Sequence, residues 1–257
     1  MKKEKACFPL HPKIAKNIGK AIADFSMIER NDKIMVGLSG GKDSNMLLYS
    51  LCRLQTISPV PFEICALTID PTGGKTDTDR LRDFANRMGV ALEVVAHPIF
   101  EILEHHPDAP ACSMCANLRR GILAGAAGRL GCNVLALGHH KDDVVETVFM
   151  NLTYSGRFAC FHPHMRMSRS QIRVIRPMVY VAEDEIIKES KKREFPLIDF
   201  ACKHASSSQR ARTKAHIEAL SETTRDIGSN VVHALKKCRD AGAWGLCLAR
   251  PHTREDW

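Results

Sequence analysis

Apolar residues recur along this chain in two rhythms. One is the three-to-four spacing of a helix with one buried face: Ile18, Ile22 and Phe25 between Asn17 and Met27, and Met46, Leu47, Leu48, Leu51 and Leu54 just after Ser44. The other is the short continuous run of a strand covered on both sides, as in 33–38, 62–69, 90–96, 133–137 and 172–175. Further helices are predicted over 77–88, 115–130, 144–154 and 183–194. Gly89, Gly131 and Gly156 stand where three of them should stop, and Pro196 follows the fourth. Strands alternating with helices predict an α/β fold, an open and mostly parallel sheet with helices on both faces. Residues 1–30 read as an N-terminal helical segment and 31–200 as the α/β domain. Residues 201–257 are polar, basic and helix-prone, and read as a short helical C-terminal extension.

Composition narrows this picture. With 44% apolar and 26% charged residues in 257, the chain can bury a core, so disorder is excluded as a description of the whole. No apolar run approaches the roughly 18 residues that cross a bilayer. The N-terminal charges are not followed by an apolar segment of the signal-peptide kind, so a cytoplasmic protein without a membrane partner is expected. Lys and Arg total 37 against 29 Asp and Glu, a surplus of +8 that favours a polyanion such as RNA. Aromatic residues are few (10 Phe, 3 Tyr, 2 Trp), so a base-stacking platform is not evident. Ten cysteines are too sparse for a disulfide scaffold and read as core residues or ligands.

Three polar loops, 39–44, 70–75 and 138–143, fall at predicted strand ends, where ligands bind in sheets of this kind. The first is Ser39-Gly40-Gly41-Lys42-Asp43-Ser44. Glycines and small hydroxyls let backbone N–H groups approach phosphate oxygens, the following helix adds its positive end, and Lys42 adds a charge. A Walker A loop would need a Gly where Val36 stands and a hydroxyl where Asp43 stands, so γ-phosphoryl transfer is not expected. The third loop opens Gly138-His139-His140-Lys141-Asp142-Asp143. Its two carboxylates suit either a helix cap or Mg²⁺ on nucleotide phosphates, and His139 or His140 suits a phosphate or base contact. Asp70 is a candidate for Mg²⁺ or nucleotide, or simply a turn former before Pro71.

Cys112-Ser-Met-Cys115 opens a helix, with Arg119 and Arg120 a turn further on. A pair of this kind serves redox chemistry, a zinc site or an iron–sulfur site. Cys202 is a third candidate ligand, and His204 would complete a zinc set of three Cys and one His. Arg119, Arg120, Lys203, Arg210, Arg212 and Lys214 form a candidate phosphate-tracking surface for RNA.

SGGKDS after a strand resembles the PP-loop of the ATP-pyrophosphatases. Together with CSMCANLRRGIL and LGHHKDDVVETVFMNL, from about Asn17 to about Pro196, it resembles the bacterial tRNA 2-thiocytidine synthetase (TtcA) family. That resemblance implies a Rossmann-like PP-loop domain and a [4Fe–4S] cluster on Cys112, Cys115 and Cys202. It implies Mg²⁺ and ATP, tRNA as substrate, and thiolation of cytidine 32 after its adenylation. A sulfur donor such as a cysteine desulfurase is implied as a partner, and a homodimer is allowed. Lys42, Asp143 and Cys202 are the expected catalytic residues, and Ser39, Gly40, Gly41, Lys42, Asp43, Ser44, Asp70, His139 and Asp142 the expected nucleotide contacts. The family carries P-C-x-x-C around its third cysteine, whereas this chain reads Asp199-Phe-Ala-Cys202-Lys203.

Overall fold

A computed structural model of the chain describes residues 9–108, 110–168, 170–198, 200, 209–238 and 243–244. Six strands form one sheet: β1 (Asp32–Gly37), β2 (Phe62–Asp70), β3 (Leu92–Ala96), β4 (Val134–Ala136), β5 (His164–Arg166) and β6 (Arg173–Ile175), in the order β3-β2-β1-β4-β6-β5. All pairings are parallel except that of β5 with β6. The apolar runs are continuous because successive residues face opposite layers. Ile34 and Val36 join the core on one side, and Met35 the core on the other.

Helices α1 (Pro12–Asp24), α2 (Lys42–Ile57), α3 (Asp79–Arg87) and α7 (Glu183–Lys192) bury apolar residues in the first core. The second is closed by α4 (Ile99–Glu104) and α5 (Ala111–Arg129) through Ile99, Leu103, Ala126 and Ala127. α6 (Lys141–Ser155) follows β4, and α8 (Gln209–Thr223) and α9 (Ile227–Lys237) lie against it. Two short elements were not legible in the apolar pattern. α4 holds 6 residues and the antiparallel β5 only 3, too few to show a period. α5 also starts earlier than its apolar pattern, so Cys112 and Cys115 both stand within its first two turns.

Strand order sets where a ligand can sit. From β1 the sheet continues to β2 on one side and to β4 on the other, so the chain reverses its winding between β1 and β4. The loops leaving the carboxyl ends of these strands diverge there and leave a crevice. Among the described residues no helix is long and apolar enough to cross a membrane.

Candidate active site

That crevice is a cleft of about 390 Å³. Its lining comes from the ends of all three central strands: Leu38 and Ser39 after β1, Leu67 and Ile69 of β2, and Leu137 to His139 after β4. Asp43, Ser44 and Asp143 supply polar groups, and Arg119 of α5 and Arg210 of α8 supply the cations. Apolar walls with a few convergent polar groups suit a flat base carrying an anionic tail.

The 39–44 loop turns directly from β1 into α2. Gly40 has φ +77°, and a Cβ there would lie 2.9 Å from the Cβ of Ile198. Gly40 carbonyl oxygen accepts the Ile198 N–H at 3.0 Å, and Asn45 Nδ2 donates to Pro196 oxygen at 2.6 Å. The chain segment 196–198 is thus fastened across the loop. Gly138 closes the other side: an added Cβ would lie 3.1 to 3.2 Å from the Asp43 carbonyl and the Ser44 nitrogen. Inside the loop, Ser44 Oγ donates to Gly41 oxygen at 3.0 Å and lies 3.2 Å from Ser39 Oγ. Gly41 stands at the N-cap position without a side chain, so the first amides of α2 have no side-chain cap.

Lys42 Nζ lies 3.0 Å from Asp43 Oδ2 and 2.9 Å from Glu183 Oε1. Burial works against its charge, but the two carboxylates outweigh it and raise its pKa, so it stays an ammonium. Asp43 Oδ1 is buried with no hydrogen-bond partner. It lies 3.7 Å from His140 Nε2, which in turn is 3.5 Å from Asp143 Oδ2. Burial opposes protonation of His140, yet Asp142, Asp143 and Asp43 together raise its pKa.

Neighbouring Asp142 and Asp143 diverge. Asp143 Oδ2 accepts the His140 N–H at 3.0 Å, capping α6, and its Oδ1 accepts from Arg210 at 3.0 Å inside the cleft. Asp142 turns toward α7, where its Oδ2 accepts the Glu183 N–H at 2.7 Å. Asp70 is committed to its own loop: its carboxylate accepts from Thr72, Gly74 and Thr76, which more than offset burial and lower its pKa. His139 lines the cleft, packs against Phe161 and accepts from Arg176 Nε at 3.3 Å. Desolvation, with Arg176 beside it, pushes its pKa down to about 3, so the ring is neutral.

Cys112 is exposed and Cys115 half-buried, and neither is in a disulfide. Cys115, Arg119 and Leu123 are successive i, i+4 positions on α5, and the latter two line the cleft. Cys112 lies one turn before Cys115 on the same side of the helix. Cys202, Lys203 and His204 lie outside the described residues. Of the expected RNA-facing cations, Arg210 and Lys214 instead hold carboxylates of the site. Glu183 and Arg176 carry no motif that marks them, since their partners are distant in sequence.

The sequence profile of the PP-loop domain family matches residues 10–227. The chain is 36% identical over 231 residues to a tRNA-cytidine(32) 2-sulfurtransferase of Pelobacter propionicus, covering 88% of this chain and 86% of that one. It is 38% identical over 230 residues to the protein of the same name from Syntrophotalea carbinolica, covering 88% and 89%. Among solved structures, the U34-tRNA thiolase NcsA from Methanococcus maripaludis with its [4Fe–4S] cluster superposes with a TM-score of 0.70 at 21% identity, covering 91% of this chain and 86% of that one. At that identity the likeness is one of fold.

Proposed function

As the chain belongs to the PP-loop domain family, and with it to the tRNA-cytidine(32) 2-sulfurtransferases, we propose that it adenylates cytidine 32 of tRNA with ATP and replaces the base's 2-oxygen with sulfur. One observation carries this reading. The side of α5 that begins with Cys112 and Cys115 runs into the same cleft that the 39–44 loop and Asp143 line, by way of Arg119 and Leu123.

The apolar walls Leu67, Ile69, Leu123 and Leu137 receive the adenine, and the loop amides with Lys42 receive the pyrophosphate. Arg119 Nε is buried without a hydrogen-bond partner, as befits a donor awaiting an anion. When the cytosine 2-oxygen attacks the α-phosphorus, pyrophosphate leaves, and its growing charge falls on Lys42 and the amides of α2. Neutral His139 and the apolar walls limit water around the adenylated base. A sulfur nucleophile then adds at C2, and the original oxygen departs with AMP. Electrons balance without an oxidant if sulfur arrives at the sulfide level, ultimately from a donor such as a cysteine desulfurase.

The residues present fit two further groups. Asp43 and Asp143 converge on one His140 nitrogen, and Asp43 keeps a buried oxygen without a partner. They would hold Mg²⁺, which needs only one or two carboxylates beside phosphates and would neutralise triphosphate charge. Cys112 and Cys115, free thiols three residues apart, would hold a [4Fe–4S] cluster together with Cys202. Bound there, such a cluster would bind and activate sulfur for transfer to the base.

Mass spectrometry of tRNA nucleosides from cells with and without the gene tests the proposal. The expected result is loss of 2-thiocytidine from position 32 on deletion, restored by the wild-type chain and not by Lys42→Ala. Unchanged 2-thiocytidine, or loss of a different thiolated nucleoside, overturns the assignment.

A further inference from the structure

α8 is an unusual helix to find docked on a folded domain. Its sequence, QRARTKAHIEALSET, has no apolar stripe, and only Thr213 is buried. What holds it is charge. Arg210 reaches Asp143 at 3.0 Å and Glu146 at 3.6 Å; Lys214, one turn further on, reaches Glu183 Oε2 at 2.7 Å. Two of these three acceptors, Asp143 and Glu183, are tied to the cleft and its loop. Asp143 lines the cleft beside Asp43, and the other oxygen of Glu183 holds Lys42 at 2.9 Å. Arg210 itself lines the cleft. α8 is therefore seated on the carboxylates with which a bound triphosphate would compete: Glu183, which holds Lys42, and Asp143, which holds Arg210.

We propose that α8 completes the nucleotide site, with Arg210 as a phosphate-binding side chain that exchanges Asp143 for the bound triphosphate, and with Lys214 acting through Glu183 as a positioning residue for Lys42. The inference rests on the reading that the cleft takes ATP. Its physical basis is the exchange of partners. A guanidinium paired with a carboxylate is already poised for an anion, and a tetra-anionic triphosphate is a stronger partner than one carboxylate. Glu183 shared between Lys42 and Lys214 holds the Lys42 ammonium at the loop without neutralising it alone. When phosphate takes Lys42, Lys214 keeps the half-buried Glu183 carboxylate paired.

The test is calorimetric titration of the full chain with magnesium and α,β-methylene-ATP, and separately with AMP. The variants are Arg210→Gln, Arg210→Lys, Lys214→Gln and Lys42→Ala. Wild type should bind the analogue, and Lys42→Ala should not. Arg210→Gln should weaken the analogue by about tenfold to a hundredfold, the usual worth of a charge-assisted hydrogen bond, and AMP by less than about twofold. Arg210→Lys should recover part of the loss, and Lys214→Gln should weaken the analogue by a smaller factor. An Arg210→Gln protein that binds the analogue as wild type does overturns the inference and leaves the nucleotide reading standing; equal losses for analogue and AMP overturn it too, as simple misfolding. A wild type that binds neither ligand overturns the nucleotide reading itself. Hydrogen exchange on the wild type is the companion measurement: amides of 209–223 should change protection when the analogue is added, and unchanged protection counts against α8 as part of the site.

Discussion

Gly138 shows how narrowly single residues set this site. Its Cα lies so close to the start of α2 that an added methyl would press on the Asp43 carbonyl at 3.1 Å. Backbone cannot swing aside as a side-chain tip can, so Gly138→Ala should displace the loop. Binding of the ATP analogue should weaken at least about tenfold, and the melting temperature should fall by several degrees, the usual mark of overpacking by about 1–3 kcal/mol. His139 carries a pH dependence. Arg176 Nε–H donates to its Nδ1, which requires that nitrogen to be unprotonated. With the folded pKa pushed down to about 3, the unfolded chain binds the extra proton first as pH falls below about 6.5. The stabilisation from His139 is thus full above pH 6.5 and is lost toward pH 3. Melts at pH 6.5 and 5 should differ by about 2 kcal/mol more in wild type than in His139→Gln; parallel curves would show that the ring is not desolvated. The motif named the Asp142–Asp143 pair but had no means of dividing it. Consecutive residues at a helix start point about 100° apart, so one faces the cleft and its neighbour faces α7.

At the scale of elements, the loop between β1 and α2 is held as much by the chain after α7 as by its own sequence. Asn45 is fully buried and donates to Pro196, a residue 151 positions away. Asn45→Ala should cost about 1–3 kcal/mol, the penalty for an orphaned buried carbonyl, and should loosen analogue binding as 196–198 drifts from Gly40. Urea unfolding with a parallel titration checks both. α5 makes the opposite contribution. Cys112 is exposed and Cys115 only partly buried against the second core, whereas the fully buried residues of this helix are Ala126 and Ala127. Replacing both with Ser should therefore abolish bound iron and tRNA thiolation while leaving analogue affinity within about twofold and the melting temperature of the apoprotein within a few degrees. Loss of nucleotide binding in that variant would argue against separate seats for cluster and nucleotide. Repeating strands and helices announced these elements correctly because period and length are local properties. α4 and β5 escaped because short elements are held by neighbours and carry little periodicity of their own.

The whole molecule carries a charge of +8, yet part of that surplus is not offered to a partner. Lys42, Arg210 and Lys214 are engaged with Asp43, Asp143, Glu146 and Glu183 at or beside the cleft, which leaves Arg120, Arg212 and similar exposed cations among the described residues for RNA. tRNA binding should still weaken steeply with salt, with log Kd rising linearly in log salt concentration as counterions are released. Filter binding between about 50 and 200 mM salt measures the slope, and an affinity indifferent to salt would remove the RNA surface.

Taken alone, the sequence determined what short stretches of chain can do: the alternation that makes a doubly covered parallel sheet, the glycine-rich turn into α2, the cysteine spacing on α5 and the acidic start of α6. Each is set by contacts within a few residues, so each is written locally. The tertiary structure decided which of the candidates share a cavity. It turned Asp143 in and Asp142 away, tied Asp70 to its own loop, and set Glu183 between Lys42 and Lys214. Those outcomes depend on how β1 and β4 lie side by side and where α7 and α8 come to rest, distances that close only when residues a hundred or more positions apart are packed together.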